Sequence, residues 1–341
     1  MKTKNIIYFI LLIGVLINFT HCGYFKGAHQ NVIEDDYLYI RTNATYQEVL
    51  DSLKLKLKDL ESFVSYAETK DFSEKIKAGK YKLNKEDTNE KLLNRLLTGT
   101  QEEVRLMIKN EPTIFHLAGS VSKMIEADST QIVQQIIEFA QNKDGNFNEE
   151  TIKYFFLPNT YHFFWNTSAE QFVSRMEKEF NKVWNEERQA KAEEMNFSPL
   201  EVFTLASIVQ MEASKVDEQP KVAQVYLNRL KKGMKLEADP TSIYAYRLEN
   251  GFDSIIQRVR SGHLATPSEY NTYRVLGLPP APICLPNLSA VDAVLNPEEH
   301  NYVFFCADPD RPGYHSFTNS YEQHLRNAAK YRRWLEEMGI Q

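Results

Sequence analysis

Glu212 is the side chain of this sequence whose surroundings best suit acid catalysis. It follows an almost wholly apolar run, residues 203–211, in which Leu205, Ile208 and Val209 share its face on a helical period. A carboxyl group at the end of an apolar stripe is desolvated, which disfavours its charged form and raises its pKa. A carboxylic acid that stays protonated near neutral pH can protonate the oxygen of a glycosidic bond. We therefore predict that Glu212 is a general acid.

The other carboxylates of this region have simpler explanations. Glu218 and Glu237 stand among Lys, Asp and Gln residues and are interpreted as surface groups. Asp239 precedes Pro240, a pair typical of a helix start with Asp as the N-cap and Pro at the first helical position. We therefore expect a structural role for Asp239, and Glu212 is the stronger catalytic candidate.

The densest aromatic segment of the chain covers residues 154–165. Aromatic faces stack on sugar rings, but they also fill protein cores and domain junctions. Both interpretations stay open, and a core role is favoured for the segment as a whole. Tyr161, on the loop after Pro158, is its candidate for a sugar contact.

A capped helix must hold the Glu212 carboxyl group in place. Ser198, Pro199 and Glu201 form the pattern of an N-cap, a first helical position and a capping box. We therefore predict a helix that begins there and continues to Glu212. A second amphipathic helix is predicted over residues 220–230.

The C-terminal part of the chain combines a loop, a hairpin and a helix. Residues 266–283 form a long segment rich in Pro and hydroxyl groups, and loops of this type often line clefts. Residues 302–306 are predicted as a buried strand that pairs with residues 313–317 in a hairpin. A charged helix over residues 321–338 ends the chain. The predicted fold class is α+β.

Residues 35–105 are predicted to form a small α+β module of their own. Strands are expected at residues 37–40 and 77–83. A capping box at Thr45 opens one helix, whose apolar positions extend to residue 60, and Asp87 caps a second. Modules of this kind can bind extended polymers, and a purely structural role is the alternative.

The N-terminus has the features of a membrane anchor. Two lysines precede residues 5–25, which contain no Asp, Glu, Lys or Arg and are just long enough to span a bilayer. The acidic residues 34–36 beyond this stretch favour a cytoplasmic N-terminus. We predict that residues 1–25 are a cytoplasmic tail and a single-pass anchor in the cytoplasmic membrane, with the catalytic part on its outer side. A lipoprotein modified at Cys22 is the alternative.

Composition excludes several other classes of protein. The chain has 341 residues, of which 43% are hydrophobic, so it can hold two domains with buried cores. A net charge of −6 without a basic run gives no support for nucleic-acid binding. Three cysteines are too few and too scattered for a disulfide framework, and neither they nor the eight histidines show metal-ligand spacing. We therefore predict no metal and no cofactor.

A series of short motifs resembles the endolytic murein transglycosylase family, also called YceG-like. The motifs occur in order along most of the chain beyond the predicted anchor. They are Lys77–Tyr81, Phe156–Tyr161, Leu205–Glu212, Val225–Leu230, Met234–Thr241, Tyr270–Tyr273, Gly277–Pro280 and His315–Phe317.

The resemblance implies a membrane anchor, a small LysM-like module at residues 35–105, and a helical linker and catalytic domain at residues 106–341. The catalytic domain is expected to be lysozyme-like and mainly helical, with a small β element and a core at about residues 150–341. The family's essential Glu falls on Glu212. This chain departs from the family at Gln210, where a Glu is frequent, and at Asn159, where an Asp is frequent. The first departure supports a mechanism with one acid, and the second puts in doubt an ionic role for that loop.

The implied reaction is lytic transglycosylation of nascent peptidoglycan strands at the β-1,4 bond between MurNAc and GlcNAc, which limits strand elongation. The C6 hydroxyl of the same MurNAc attacks C1 and leaves a 1,6-anhydro end. Because the attack is intramolecular, one carboxyl group can protonate the leaving oxygen and then accept the C6 proton. Asn271, Thr272 and Tyr273 are the candidates for holding acetamido and hydroxyl groups. His315 and Asp239 are weaker candidates for contacts with the substrate.

Two rival functions remain open. A muramidase would use Glu212 as the acid and Asp239 as the second carboxylate, and it would leave a reducing end. A non-catalytic scaffold that binds peptidoglycan would keep its function after Glu212→Gln. The expected partners are peptidoglycan strands and the cytoplasmic membrane, and the cell-wall synthesis machinery is a further candidate.

Overall fold

The computed structural model describes residues 27–339 apart from 146, 254 and 257, and the chain divides into two compact units. The first unit holds the described residues up to 106 together with 124–127 and 162–168, and the second holds the remainder. The predicted anchor and Cys22 lie outside the described residues. Within the described ranges, no helix combines the length and the apolar character that crossing a bilayer requires.

The first unit begins as a strand, two helices and a second strand. Strand β1 (Asp36–Ile40) pairs antiparallel with β2 (Gly79–Leu83), and helices α1 (Tyr46–Lys54) and α2 (Leu60–Glu68) lie between them in the sequence. Helix α3 (Asn89–Thr98) follows. The predicted capping box at Thr45 is confirmed. Its core consists of buried apolar side chains such as Leu53, Phe63 and Tyr81.

Two predictions for this unit are wrong in detail. The apolar positions up to residue 60 belong to two helices, because α1 already ends at Lys54 and the Asp59 side chain caps a new helix, α2, at the N–H of Ser62. The N-cap of α3 is Thr88, whereas Asp87 forms a nearly buried ion pair with Arg95.

The second unit is mainly helical. Its helices, in chain order, are α4 (Ile114–Val121), α5 (Ser129–Asn142), α6 (Ala169–Val183), α7 (Glu186–Glu194), α8 (Pro199–Glu212), α9 (Gln219–Lys231), α10 (Asp239–Asn250), α11 (Ser261–Ala265), α12 (Leu288–Leu295) and α13 (Tyr321–Glu337). Strands β3 (Glu103–Ile108) and β4 (Asn159–Phe164) form a two-stranded sheet. Strands β5 (Phe304–Ala307) and β6 (His315–Thr318) form the predicted antiparallel hairpin, although β5 is only half-buried.

Helix α8 is the central element of the second unit. It packs against α9, α10 and α12. The capping box of Ser198 and Glu201 is present as predicted, with Pro199 in the first turn. Every residue from Val202 to Val209 is buried, so this helix is enclosed on all sides and not on one stripe only. Glu212 is therefore the last residue of a helix whose middle part is completely buried.

Most of the aromatic segment at residues 154–165 belongs to the core. Tyr154 and Phe155 are buried and pack against Phe180 and Phe203, with ring centroids 4.5 to 5.8 Å apart. The core interpretation is confirmed for these rings. Phe164, by contrast, is 47% exposed.

A buried ionic network joins α10 to the loop that precedes residue 271. Lys153 is fully buried, and its Nζ donates to Glu150 Oε2 (2.7 Å), to the Tyr244 hydroxyl (2.8 Å) and to the carbonyl oxygen of Pro112 (3.3 Å). The hydroxyls of Tyr244 and Tyr270 donate to the same Glu150 oxygen at 2.8 and 3.2 Å. Burial lowers the pKa of Lys153, and the Glu150 charge opposes that effect. The network therefore depends on both charges.

Replacing Lys153 by Met is expected to lower the free energy of unfolding by roughly 2 kcal/mol, because the partly exposed Glu150 loses its cation and the buried Tyr244 hydroxyl loses a hydrogen bond. Urea denaturation measures the change. The matched control is Lys182→Met, since Lys182 is exposed and its ion pair with Glu179 contributes less than about 1 kcal/mol. Equal losses in the two variants would contradict the importance of the buried network.

Candidate active site

The Glu212 carboxyl group lies where α8 ends and the chain turns away. Ala213 follows in an extended conformation, and the Tyr226 hydroxyl on α9 donates to Glu212 Oε1 at 3.1 Å. Glu212 retains part of its exposure to solvent. Burial of its carboxyl group raises the pKa to about 7, and the negative charge of Asp239 adds to the rise. The raised pKa that the sequence predicted is confirmed.

Three interactions oppose this rise in the pKa of Glu212. The hydrogen bond from Tyr226, a backbone hydrogen bond from Asp239 and the positive charge of Arg229 all favour the carboxylate. Tyr226 itself is 1% exposed, and burial together with the Glu212 charge raises the pKa of its hydroxyl far above the ordinary value. Tyr226 therefore stays protonated and can serve Glu212 only as a hydrogen-bond donor or acceptor.

The prediction that Asp239 is a helix N-cap is wrong. Helix α10 has Ala238 as its N-cap, and no side chain caps it. The N–H of Ala238 is instead held by the Thr272 hydroxyl at 3.0 Å, so the helix begins one residue earlier than predicted. The Asp239 carboxylate is exposed and accepts a hydrogen bond of 2.6 Å from the Tyr273 hydroxyl. Burial and this bond both raise the pKa of Tyr273.

Asn271 and Thr272 are both fully buried. The Asn271 amide donates to the carbonyl oxygens of Leu264 (3.0 Å) and Thr266 (2.8 Å), and its oxygen accepts from the N–H of Tyr273 (3.1 Å). The Thr272 hydroxyl pairs with that of Thr241 (2.8 Å) and accepts from Ala238. Of the three predicted sugar contacts in this loop, Tyr273 is the one whose side chain contacts Asp239, and the charge of Asp239 acts on Glu212. Asn271 and Thr272 shape the loop that carries Tyr273.

Tyr161 and His315 occupy different surroundings. Tyr161 lies in strand β4, so its predicted place on a loop is wrong. It is 7% exposed, and its hydroxyl donates to the carbonyl oxygen of Leu157 at 2.9 Å. Burial raises the pKa of Tyr161 to about 12. His315 has its Nδ1 2.7 Å from Glu218 Oε2, and its backbone N–H donates to Glu218 Oε1 at 2.8 Å. Glu218 is 5% exposed, so its interpretation as a surface group is wrong: the hairpin covers it.

The β5–β6 hairpin contacts Tyr226, the residue that donates a hydrogen bond to Glu212, through an aromatic ring. The Phe305 ring meets the ring of Tyr226 edge-on at 5.8 Å between centroids and the His315 ring at 5.1 Å. Tyr226 is thus held between the carboxyl group that it contacts and the hairpin.

The described residues include no group of three or more His, Cys, Asp or Glu side chains arranged to hold a metal ion.

Arg229 organises the site but was missed in the sequence. Its Nε donates to the carbonyl oxygen of Val303 (2.7 Å), and its Nη1 donates to the carbonyl oxygen of Leu236 (2.8 Å) and to Glu237 Oε2 (3.2 Å). These bonds hold the segment that leads into Asp239, and they tie it to the start of β5. The sequence feature that could have identified Arg229 is its position on the otherwise mostly apolar face of helix α9. Glu237, with a side chain 49% exposed, keeps a surface position.

The chain is similar to several known proteins. The family model described as YceG-like family matches residues 38–330. A Bacillus subtilis protein named endolytic murein transglycosylase is 27% identical over 272 residues, which are 75% of this chain and 73% of the relative. A protein of the same name from Streptococcus pneumoniae is 27% identical over 296 residues, which are 79% of this chain but 53% of the relative, so this chain spans about half of that protein.

A solved structure shows the same fold. The crystal structure of a yceG-like protein from Listeria monocytogenes matches 86% of this chain and 98% of its own, with a TM-score of 0.57 and 23% identity. At this level of identity, the likeness concerns the fold alone.

Two substitutions should move the pKa of Glu212 in opposite directions. Tyr226→Phe removes a hydrogen bond that favours the carboxylate, so the pKa should rise further. Asp239→Asn removes a negative charge that disfavours the carboxylate, so the pKa should fall. NMR titration of carboxyl-labelled Glu, assigned by comparison with Glu212→Gln, measures both. Asp310→Asn, at an exposed carboxylate paired with Lys330, is the control. Shifts of the same sign in the two variants would refute this electrostatic account.

Proposed function

The chain belongs to the YceG-like family, and from this premise we propose that it is a lytic transglycosylase that cleaves the glycan strands of peptidoglycan internally. The observation that carries the proposal is the Glu212 carboxyl group, whose pKa of about 7 keeps much of it protonated near neutral pH. The two relatives named endolytic murein transglycosylase support the same activity.

In the first step, Glu212 acts as the general acid. It donates its proton to the oxygen of the β-1,4 bond between MurNAc and GlcNAc, the bond between that oxygen and C1 of MurNAc breaks, and its electron pair stays on the oxygen. The GlcNAc side of the strand leaves with a hydroxyl group. Positive charge develops at C1, and Glu212 is left as a carboxylate.

In the second step, the same carboxylate acts as the base. The C6 hydroxyl of the MurNAc attacks C1, its proton passes to Glu212, and a 1,6-anhydro ring closes. Glu212 is protonated again, so the proton balance closes without water. Because the nucleophile belongs to the sugar that is attacked, its position replaces much of what a second carboxylate would contribute.

We assign supporting roles to the residues around Glu212. Tyr226 orients the carboxyl group through its hydrogen bond. The Asp239 carboxylate raises the pKa of Glu212 and, in this proposal, also stabilises the positive charge that develops at C1. Tyr273 holds Asp239 and presents its ring and hydroxyl to the sugar. A sugar contact by His315 would use Nε2, because Nδ1 faces Glu218.

The remaining candidates receive structural roles in this proposal. Asn271 and Thr272 set the position of Tyr273, because their polar groups are bonded within the protein. Tyr161 belongs to the core of its unit, because its hydroxyl is bonded to Leu157.

We also propose the cellular setting. Residues 1–25 anchor the chain in the cytoplasmic membrane, with a lipoprotein modified at Cys22 as the alternative, and both units lie on the outer side. The first unit is a LysM-like module, supported by its order of strand, helix, helix and strand. Cleavage of nascent strands limits their elongation, and the cell-wall synthesis machinery is a candidate partner.

Glu212→Gln should lower turnover of purified glycan strands by roughly 10² to 10⁴-fold, because the amide cannot donate the proton. Circular dichroism should show an unchanged fold. Mass spectrometry of the wild-type products should show 1,6-anhydro ends. Reducing ends would instead indicate a muramidase in which Asp239 is the second carboxylate, and undiminished cellular function of the variant would indicate a scaffold.

The kcat/KM of the wild-type protein should fall as the pH rises through about 7, because Glu212 loses the proton that it must donate. Tyr226→Phe should move this decline to higher pH, and Asp239→Asn should move it to lower pH, since their effects on the pKa of Glu212 have opposite signs. A decline that stays at the same pH in both variants would mean that another group limits the rate.

A further inference from the structure

Two cations close to Glu212 in the chain lie against one tyrosine ring. The Arg311 guanidinium carbon is 4.5 Å from the centroid of the Tyr314 ring, and the Lys215 ammonium nitrogen is 5.8 Å from it. Both cationic residues are exposed. Across the described part of the chain, neither has a carboxylate within ion-pair distance. The ring therefore gathers two positive charges that face solvent, while its hydroxyl group contacts one carboxylate, that of Asp217.

These cations belong to the same local structure as the catalytic carboxyl group. Lys215 follows Glu212 by three residues, so their Cα atoms are at most about 11 Å apart. The Lys215 stem lies over Gly313, where an added Cβ would be only 3.2 Å from Lys215 Cε. The Tyr314 hydroxyl donates to Asp217 Oδ2 at 3.0 Å. Contacts of Gly313 with Lys215 and of Tyr314 with Asp217 thus join the hairpin to the segment after α8. These contacts set the position of the two cations relative to Glu212.

Nearby carboxylates are already engaged. Asp217 accepts from Tyr314, Glu218 is bonded to His315, and Asp310 pairs with Lys330. No described carboxylate lies within ion-pair distance of Lys215 or Arg311, although Asp217 keeps its negative charge beside the ring. An external carboxylate can therefore pair with the two cations, with a strength that the charge of Asp217 reduces.

The substrate carries such an anion close to the bond that is cleaved. The MurNAc whose C1 reacts also bears, through the lactyl group on C3, a peptide with free carboxylates. On the basis of the function proposed above, we propose that Lys215, Arg311 and Tyr314 form a subsite for the carboxylates of this peptide. The subsite makes the protein prefer strands that still carry their peptides over bare glycan.

The size of the preference follows from the exposure of the cations. Exposed charge pairs contribute little each and are screened by salt. Two of them should give a preference of roughly three- to tenfold in kcat/KM, which sodium chloride should reduce.

The first experiment compares two substrates. Glycan strands with intact peptides and the same strands stripped by an amidase are offered to the full-length protein, to the double variant Lys215→Met with Arg311→Met, and to a control. The amidase leaves the lactyl carboxylate on each MurNAc, so the comparison tests the carboxylates of the peptide itself. The control, Lys232→Met with Arg333→Met, removes the same charge at exposed positions elsewhere in the second unit. We expect the wild type and the control to prefer peptide-bearing strands, and the double variant to lose that preference. A wild type without a preference, or a double variant that retains it, would overturn the subsite.

A second experiment does not require turnover, so it separates the subsite from the proposed reaction. Binding of N-acetylmuramyl pentapeptide, and of the same ligand with its peptide carboxylates converted to amides, is measured by calorimetry with full-length Glu212→Gln protein. The ligand with free carboxylates should bind several-fold more tightly, and adding Lys215→Met with Arg311→Met should abolish the difference. Equal affinities for the two ligands would refute the subsite, whereas an absence of anhydro ends in the first experiment would refute the reaction.

Discussion

The site depends on the balance of forces on one carboxyl group. Burial at the end of α8 and the nearby charge of Asp239 disfavour the ionised form of Glu212, while Tyr226 and Arg229 favour it. The result is a pKa of about 7, so both protonation states are accessible under ordinary conditions. A group that must first give and then take a proton requires this balance, because a fully exposed Glu would be a poor acid and an isolated buried one a poor base.

The surrounding structure maintains this balance by fixing positions. Arg229 and Thr272 hold the chain on either side of Ala238, so that α10 begins with the Asp239 carboxylate beside Tyr273. One turn further along α10, the Lys153 network binds the same helix to the same loop through Tyr244 and Tyr270. Two separate sets of polar contacts thus hold α10 and the loop together. The buried polar groups that form them are bonded to each other, which offsets the cost of their burial.

Local patterns predicted much of the fold because their causes are local. The capping boxes at Thr45 and Ser198 satisfy free N–H groups within one helical turn, and both are present. The hairpin and the helices around residues 220–230 and 321–338 were also predicted. The failures had two different causes. A local cap was overlooked at Asp59, which starts a second helix, and a contact from a distant segment, between Thr272 and Ala238, accompanies the earlier start of α10.

The sequence by itself determined that a carboxyl group follows a buried helix and would have a raised pKa, because apolar residues with helical spacing are enough to predict desolvation. Only the tertiary structure decided which groups share that environment. Tyr226, Asp239 and Tyr273 come from different elements that long-range packing brings together, so no spacing in the chain could reveal them. For the same reason Glu218, which looked like a surface residue, proved to be buried: its partner His315 lies almost a hundred positions away, and pairing over that distance is a property of the fold.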